Sequence, residues 1–302
     1  MKRVAILVVC LIAALPLAAA DDSFNVGGAK FSQPTDLPPL DKSFATVLAE
    51  LNASRTSVPR RMTPNVVLEG SEFAFVFPIA GSGAGSGGTF FRSEAVIVNR
   101  RSVAQDVSFF FFPIGGGASN CNRPSVRKRL NANTWYLYTD FVQDVFGTSG
   151  FGAVIALGVT ASGATDQNAL LDGNARIWTP QPGSNGGTTS QNFPSVSLSM
   201  PAGAQSTFGL RLDEFYRSNW GVFNYDTVAR TFDIDIDGFR GSRQFSVLID
   251  ACSLVQQSIP GGPYGSFLMT IGARDGRALY FTYGSSVDNV TGDAWSVTGR
   301  SF

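Results

Sequence analysis

The first chemical fact about this chain is the absence of histidine. Its 302 residues contain no His. A Ser-His-Asp or Cys-His nucleophile therefore cannot form in its usual arrangement. Zinc sites lose their principal nitrogen ligand, and two distant cysteines do not replace it. The sequence also has no Gly-x-Ser-x-Gly elbow. Glycosidases need only two carboxylates. The chain has 23 acidic residues, but no local spacing marks a pair among them.

Two strings imitate known binding loops. Gly83-Ala84-Gly85-Ser86-Gly87-Gly88 spells G-x-G-x-x-G. That loop holds a pyrophosphate only when a helix follows it. Here Phe90 onward reads as a strand, so the run reads as a glycine loop. Asp233-Ile234-Asp235-Ile236-Asp237-Gly238 opens like a calcium loop, but its twelfth position is Gln244, not the bidentate Glu. Phe232, Ile234 and Ile236 alternate with the aspartates, as in a strand with one apolar and one wet face. Asp288, Asn289 and Asp293 group oxygens a second time, and Asx turns account for them equally well. The basic run Arg127-Lys128-Arg129 reads as a solvated loop or strand edge. Arg92 and Arg217 stand at matching places in a repeat and read as a shared structural hydrogen bond. No residue is assigned a catalytic, cofactor-binding or metal-binding role, and no cofactor is expected.

The N-terminus reads as an export signal. Lys2 and Arg3 precede an uncharged apolar run over residues 4–17, then Ala18-Ala19-Ala20 and Asp21-Asp22. This predicts a secretory signal peptide over residues 1–20, cut after Ala20. The apolar run is shorter than the roughly 20 residues a membrane span needs. Removing residues 1–20 leaves 21 basic and 23 acidic residues, a net charge of −2. There is no broad basic excess for nucleic acid. Cys121 and Cys252 survive the cut. In an oxidising compartment an even count permits one disulfide, and two buried thiols are the alternative.

The elements that position these residues come from an internal repeat. Residues 90–109 align without a gap on residues 215–234, and six of the twenty pairs are identical. Asn99/Asn224, Arg92/Arg217 and Ser93/Ser218 are among them. Further down, Asp140-Phe141-Val142 is matched with Asp250-Ala251-Cys252, and Phe151-Gly152 with Tyr264-Gly265. A period near 125 residues means two tandem whole domains, not a solenoid of short units.

Each copy reads as short strands between turns. Residues 94–98 and 103–112 are β-rich and flank a turn at Asn99, read as a hairpin. Residues 134–138, 153–159, 175–178, 208–212, 245–249, 267–271 and 279–283 are further runs bounded by Gly, Pro, Asn or Asp. That spacing points to all-β sandwiches. Hydrophobic residues at 44% and charged residues at 15% supply enough apolar surface for packed cores. Trp135 and Leu137 are expected to face one way and Tyr136 and Tyr138 the other, which leaves one pair open to exposure. Residues 43–51 predict one short helix with Phe44, Val47, Leu48 and Leu51 on one face. Residues 180–191, with Gly183, Gly186 and Gly187, have the composition of an interdomain linker.

The motifs Gly88-Thr89-Phe90-Phe91-Arg92-Ser93, Asn99, and Val287-Asp288-Asn289-Val290-Thr291-Gly292-Asp293 resemble those of uncharacterised exported bacterial proteins with tandem immunoglobulin-like β-sandwich repeats. The resemblance covers most of residues 71–302 and implies a fold, not an activity. The expected organisation is a signal peptide (1–20), an irregular N-terminal arm or linker (21–70), and sandwich repeats over 71–183 and 184–302. The expected function is that of a non-catalytic exported binding protein, periplasmic, cell-surface or extracellular. Its partner would be a protein or glycan, with no nucleic acid and no membrane span after cleavage. The alternatives are a carboxylate-based carbohydrate-active enzyme and a structural subunit assembling through edge strands.

Overall fold

A computed structural model describes residues 25–26, 29–31, 33–56, 72–85, 88–181, 185–198 and 203–301. The expected signal peptide, residues 1–20, lies outside these, as does much of the arm. The protein is mostly β, 58% strand and 10% helix, with antiparallel sheets.

The arm contributes β1 (Asn25–Val26), β2 (Ala29–Phe31), β3 (Thr35–Leu37) and α1 (Phe44–Thr56). The first half follows with β4 (Ala74–Ala84), β5 (Phe90–Asn99), β6 (Gln105–Pro113), β7 (Val126–Leu130), β8 (Thr134–Tyr138), α2 (Phe141–Phe146), β9 (Gly150–Val159), β10 (Leu171–Pro180), β11 (Thr188–Pro194) and β12 (Val196–Ser197). The second half is β13 (Gln205–Leu212), β14 (Tyr216–Asn224), β15 (Arg230–Gly238), β16 (Gly241–Ile249), β17 (Ser253–Ser258), β18 (Gly265–Ala273), β19 (Tyr280–Asp288), β20 (Ala294–Thr298) and β21 (Arg300–Ser301).

The second half shows the plan. One sheet has the order β16-β15-β18-β13-β21 and the other β17-β14-β19-β20. Both feed one core, with Leu210, Phe232, Ile234 and Met269 from the first sheet and Trp220, Val222 and Tyr280 from the second. The first half repeats these neighbours strand for strand. β7-β6-β9-β4-β12 form one layer. β8-β5-β10-β11 form the other. There β4 bridges the layers, running along β9 over most of its length and along β5 at Ser82, Gly83 and Ala84.

The strands flanking Asn99 are not paired with each other, and neither are those flanking Asn224. β5 and β6 lie in different layers, as do β14 and β15. The expected hairpin is therefore a corner at which the chain crosses between layers. The buried Asn amide holds that corner by bonding carbonyls from a second turn. This partition also departs from the immunoglobulin order, which puts strands one, two, four and five together. Here the first strand of each half shares a layer with the third, fourth and sixth.

The expected linker over residues 180–191 is the turn of a hairpin. Thr179 faces Thr189, Pro180 faces Thr188, and Gln181 N–H donates to the Gly187 carbonyl at 2.9 Å. The boundary expected at 183/184 therefore cuts a β-ladder, and β11 and β12 belong to the first half. Glycine-rich composition serves a tight turn as well as a linker. The residue matching also shifts downstream. Asp140 precedes α2, whereas Asp250 lies in the β16–β17 turn, where its counterpart is Asn131. The match near Phe151 and Tyr264 falls on corresponding strands, β9 and β18, displaced by two residues.

The arm is not a loose linker where it is described. β3 pairs with β7, and β2 runs parallel to β8. α1 buries Phe44, Val47, Leu48 and Leu51, as its apolar spacing predicts. Phe44 packs its ring 4.8 Å from Phe112 and 5.4 Å from Phe110. This explains why β6 is apolar on both faces. Phe109 and Phe111 fill the core between the layers, while Phe110 and Phe112 join a second cluster with α1 and the second half. That second cluster holds Phe223, Tyr225, Phe281 and Tyr283, so the two halves share one apolar interface. A disulfide, Cys121–Cys252, with 5.3 Å between Cα atoms, joins them at the same place.

Candidate functional site

The halves enclose a cavity of about 390 Å³. Its floor is two aromatic rings, Phe91 and Phe151, laid on bare backbone. Gly81, Gly83 and Gly85 alternate along the end of β4, so one strand face carries no side chains. A Cβ at Gly81 would fall 2.1 Å from Phe151 Cδ1, and one at Gly85 would fall 2.3 Å from Phe91 Cε2. The glycines thus let two aromatic rings lie against the main chain, with centroids 6.5 Å apart. Both rings line the cavity, with Ile79, Ile114 and Ile177 around them. Within the string that imitated a phosphate loop, Gly83 and Gly85 lie under the Phe151 and Phe91 rings. Gly88 turns the chain with φ +79° and β5 follows, not a helix.

The facing wall is polar and comes from the second half and β11. It presents Arg217, Asn219, Gln256 and Gln191. Ser258 donates to Asn219 Oδ1 at 3.2 Å, and Tyr283 donates to Gln256 Oε1. Burial pushes the Tyr283 hydroxyl pKa up, so it stays a donor. These bonds occupy the amide oxygens. The two NH₂ groups donate to nothing among the described residues, and they remain available to a ligand. Gln191 Nε2 donates to the Trp295 carbonyl at 2.6 Å. Arg217 Nη1 donates to Asn289 Oδ1 at 2.7 Å, leaving other guanidinium N–H groups open. Among the described residues no carboxylate lines this cavity.

Arg92 and Arg217 do not share a partner. Arg92 lies 3.5 Å from Asp140 and over the Phe90 ring at 4.9 Å. The equivalence is of backbone place, and the side chains diverge because α2 exists only in the first half.

The other candidates are occupied within the fold. Asp233, Asp235 and Asp237 lie along β15 with Phe232, Ile234 and Ile236 buried between them. Asp233 accepts from Arg274 and Ser246, both at 2.6 Å. The Arg274 bond pulls its pKa down to about 2. Asp288 Oδ1 caps the Val290 and Thr291 N–H groups at 2.7 and 3.1 Å, an Asx turn. In β7, Arg127 and Arg129 both bond Asp106, and Lys128 pairs with Asp36. Among the described residues no cluster of His, Cys, Asp or Glu could hold a metal. A second cavity of about 390 Å³ lies beside Phe208, Phe239 and Leu268, with Asp237 as its single carboxylate. Among the described residues neither cavity brings two carboxylates together.

The sequence reading missed the central site. Its signal was present as glycine at every second position from 81 to 85, which marks a strand face stripped for close approach. No known protein family, curated protein or solved structure matches this chain.

Proposed function

We propose that this is an exported, non-catalytic binding protein. Two tandem β-sandwich domains, over about residues 72–198 and 203–301, hold a ligand site between them. One observation carries the reading: an apolar, ring-floored cavity faced by amide and guanidinium donors. Aromatic rings offer a flat apolar surface, and amide and guanidinium N–H donors suit hydroxyl and carbonyl oxygens. A glycan segment combines both features, a flat C–H face and a rim of oxygens. Convergent polar groups in a concave apolar site are the usual form of a small-ligand pocket.

The strand partition supports a jelly-roll relationship for each domain in place of an immunoglobulin one, since jelly rolls also mix early and late strands within each of two layers. Export is supported by the signal-like N-terminus and by the disulfide, which persists in oxidising compartments.

The test is binding of the protein lacking residues 1–20 to an array of envelope and extracellular glycans, followed by calorimetry on any hit. Arg217→Ala and Asn219→Ala are expected to weaken a true hit about tenfold each, as lost ligand hydrogen bonds do. Turnover of a glycan, peptide or ester by the purified protein would overturn the reading.

A further inference from the structure

We infer that β16 is an interaction edge through which two copies of this chain pair, strand against antiparallel strand. The first half shows what this fold does at that edge. β7 is covered by β3, with Thr35 opposite Arg129, Asp36 opposite Lys128 and Leu37 opposite Arg127. β16 holds the equivalent place in the second half. There Ser246, Val247 and Leu248 replace Arg127, Lys128 and Arg129, as the ladders to β6 and β15 show. Among the described residues β16 pairs only with β15, and Leu248 is 66% exposed.

Natural proteins shield open edges with short strands, bulges, Pro or Lys. β16 has none of these. It is nine residues long, and its ladder with β15 runs from end to end without a register shift. It contains no Pro, Lys, Asp or Glu, and Arg243 is its single charge. Other edges are defended. β12 and β21 have two residues each. β11 ends in Pro194 and bonds β20 through Gln191 and Asn192. β17 packs against the first half at β6 and the short 3₁₀ helix Gly117–Asn122.

The occupant that fits is a second copy. Antiparallel pairing with Phe245 opposite its own equivalent keeps inward side chains beside inward ones. This register sets Arg243 against Val247 and Gln244 against Ser246, so no like charges oppose. Just beyond the strand, in the turn at its start, Arg240 of each copy, whose guanidinium lies 3.4 Å from Glu214 of its own chain, comes within reach of Asp250 of the other, and both are exposed. The contact is isologous and closes as a two-fold dimer, not a filament. It joins the two five-stranded sheets into one.

Sedimentation of the protein lacking residues 1–20, over a wide concentration range, reads this directly, and the expected result is a monomer–dimer equilibrium. Arg240→Asp or Asp250→Arg alone is expected to weaken the dimer about tenfold, since each reversal acts twice, and the double variant to restore it. Circular dichroism checks that each variant folds. In the unaltered protein, β16 amides should gain hydrogen-exchange protection as concentration rises, while β14 amides should not change. A monomer at every concentration overturns the proposal. So does a dimer in which β16 gains no protection, or one that both single reversals leave unchanged.

Discussion

Asn99 and Asn224 make the same bonds in the two halves. Asn99 Nδ2 donates to the carbonyls of Val103 at 2.9 Å, Leu130 at 3.5 Å and Asn131 at 2.8 Å. Asn224 Nδ2 donates to those of Val228 at 2.9 Å, Ile249 at 3.2 Å and Asp250 at 3.0 Å. Each Oδ1 accepts the N–H two residues on, from Arg101 and Asp226. Both side chains are fully buried. One amide thus ties the corner between layers to the turn after the fourth strand of its half.

Removing that amide takes a donor from three carbonyls in each half, although Thr134 still donates to that of Asn131. Asn99→Ala and Asn224→Ala should each cost about 1–3 kcal/mol, the scale of leaving a buried polar group unsatisfied. Urea denaturation checks this. A loss under 1 kcal/mol for both would mean that water replaces the amide and that the corner does not depend on it.

The repeat at Asn99 was legible because identity and spacing survive in the sequence. Strand positions were legible for a related reason: alternation such as Phe232, Ile234 and Ile236 reports one buried face. What the strands pair with was not legible. Two strands joined by a polar turn look alike whether they form a hairpin or cross between layers, since the difference lies in partners far along the chain. The run Phe109-Phe110-Phe111-Phe112 announces burial on both faces, but only the fold shows that α1 and Phe223 cover the second. The glycines at 83 and 85 read as part of a glycine loop, because a loop and a naked strand face draw on the same residue.

The disulfide is expected to act on the whole molecule. Cys121 and Cys252 are 131 residues apart. Closing so long a loop restricts the unfolded chain, and natural disulfides of this kind contribute about 2–5 kcal/mol. Cys121→Ser with Cys252→Ser should lower stability by that amount. The halves should remain docked, because Phe112 and Phe223 still pack with centroids 4.8 Å apart. Denaturation midpoints and small-angle scattering test the two statements separately. An unchanged midpoint would contradict the first, and an expanded particle the second.

Gly81→Ala tests the floor of the cavity. The new methyl would meet the Phe151 ring at 2.1 Å and force it toward the ligand space. Overpacking of this kind costs about 1–3 kcal/mol. Gly203→Ala is the control, since its Cβ would meet no atom of the described residues within 4 Å. Gly81→Ala should destabilise the protein and abolish binding of any ligand found for the cavity, while Gly203→Ala does neither. Equal behaviour of the two variants would remove the glycine bed from the account.

Asp106 should set part of the acid limit of stability. Its carboxylate is buried, at 4% exposure, and bonds Arg127 and Arg129. Burial opposes its ionisation, but the Arg129 and Arg127 guanidinium groups outweigh that and hold its pKa below the ordinary Asp range. A carboxyl depressed in the folded state adds stability above its unfolded pKa, about 4, and that stability is lost as pH falls through the folded value. Asp106→Asn removes the charge while keeping the shape. It strands two guanidinium groups, one of them nearly buried, and should cost about 3–5 kcal/mol at pH 7. Below the folded pKa the unaltered protein carries the same neutral side chain, so the gap between the two proteins should close. Denaturation at pH 7 and at successively lower pH measures the gap. A difference that stays constant down to strong acid would show that Asp106 acts through packing and not through its charge.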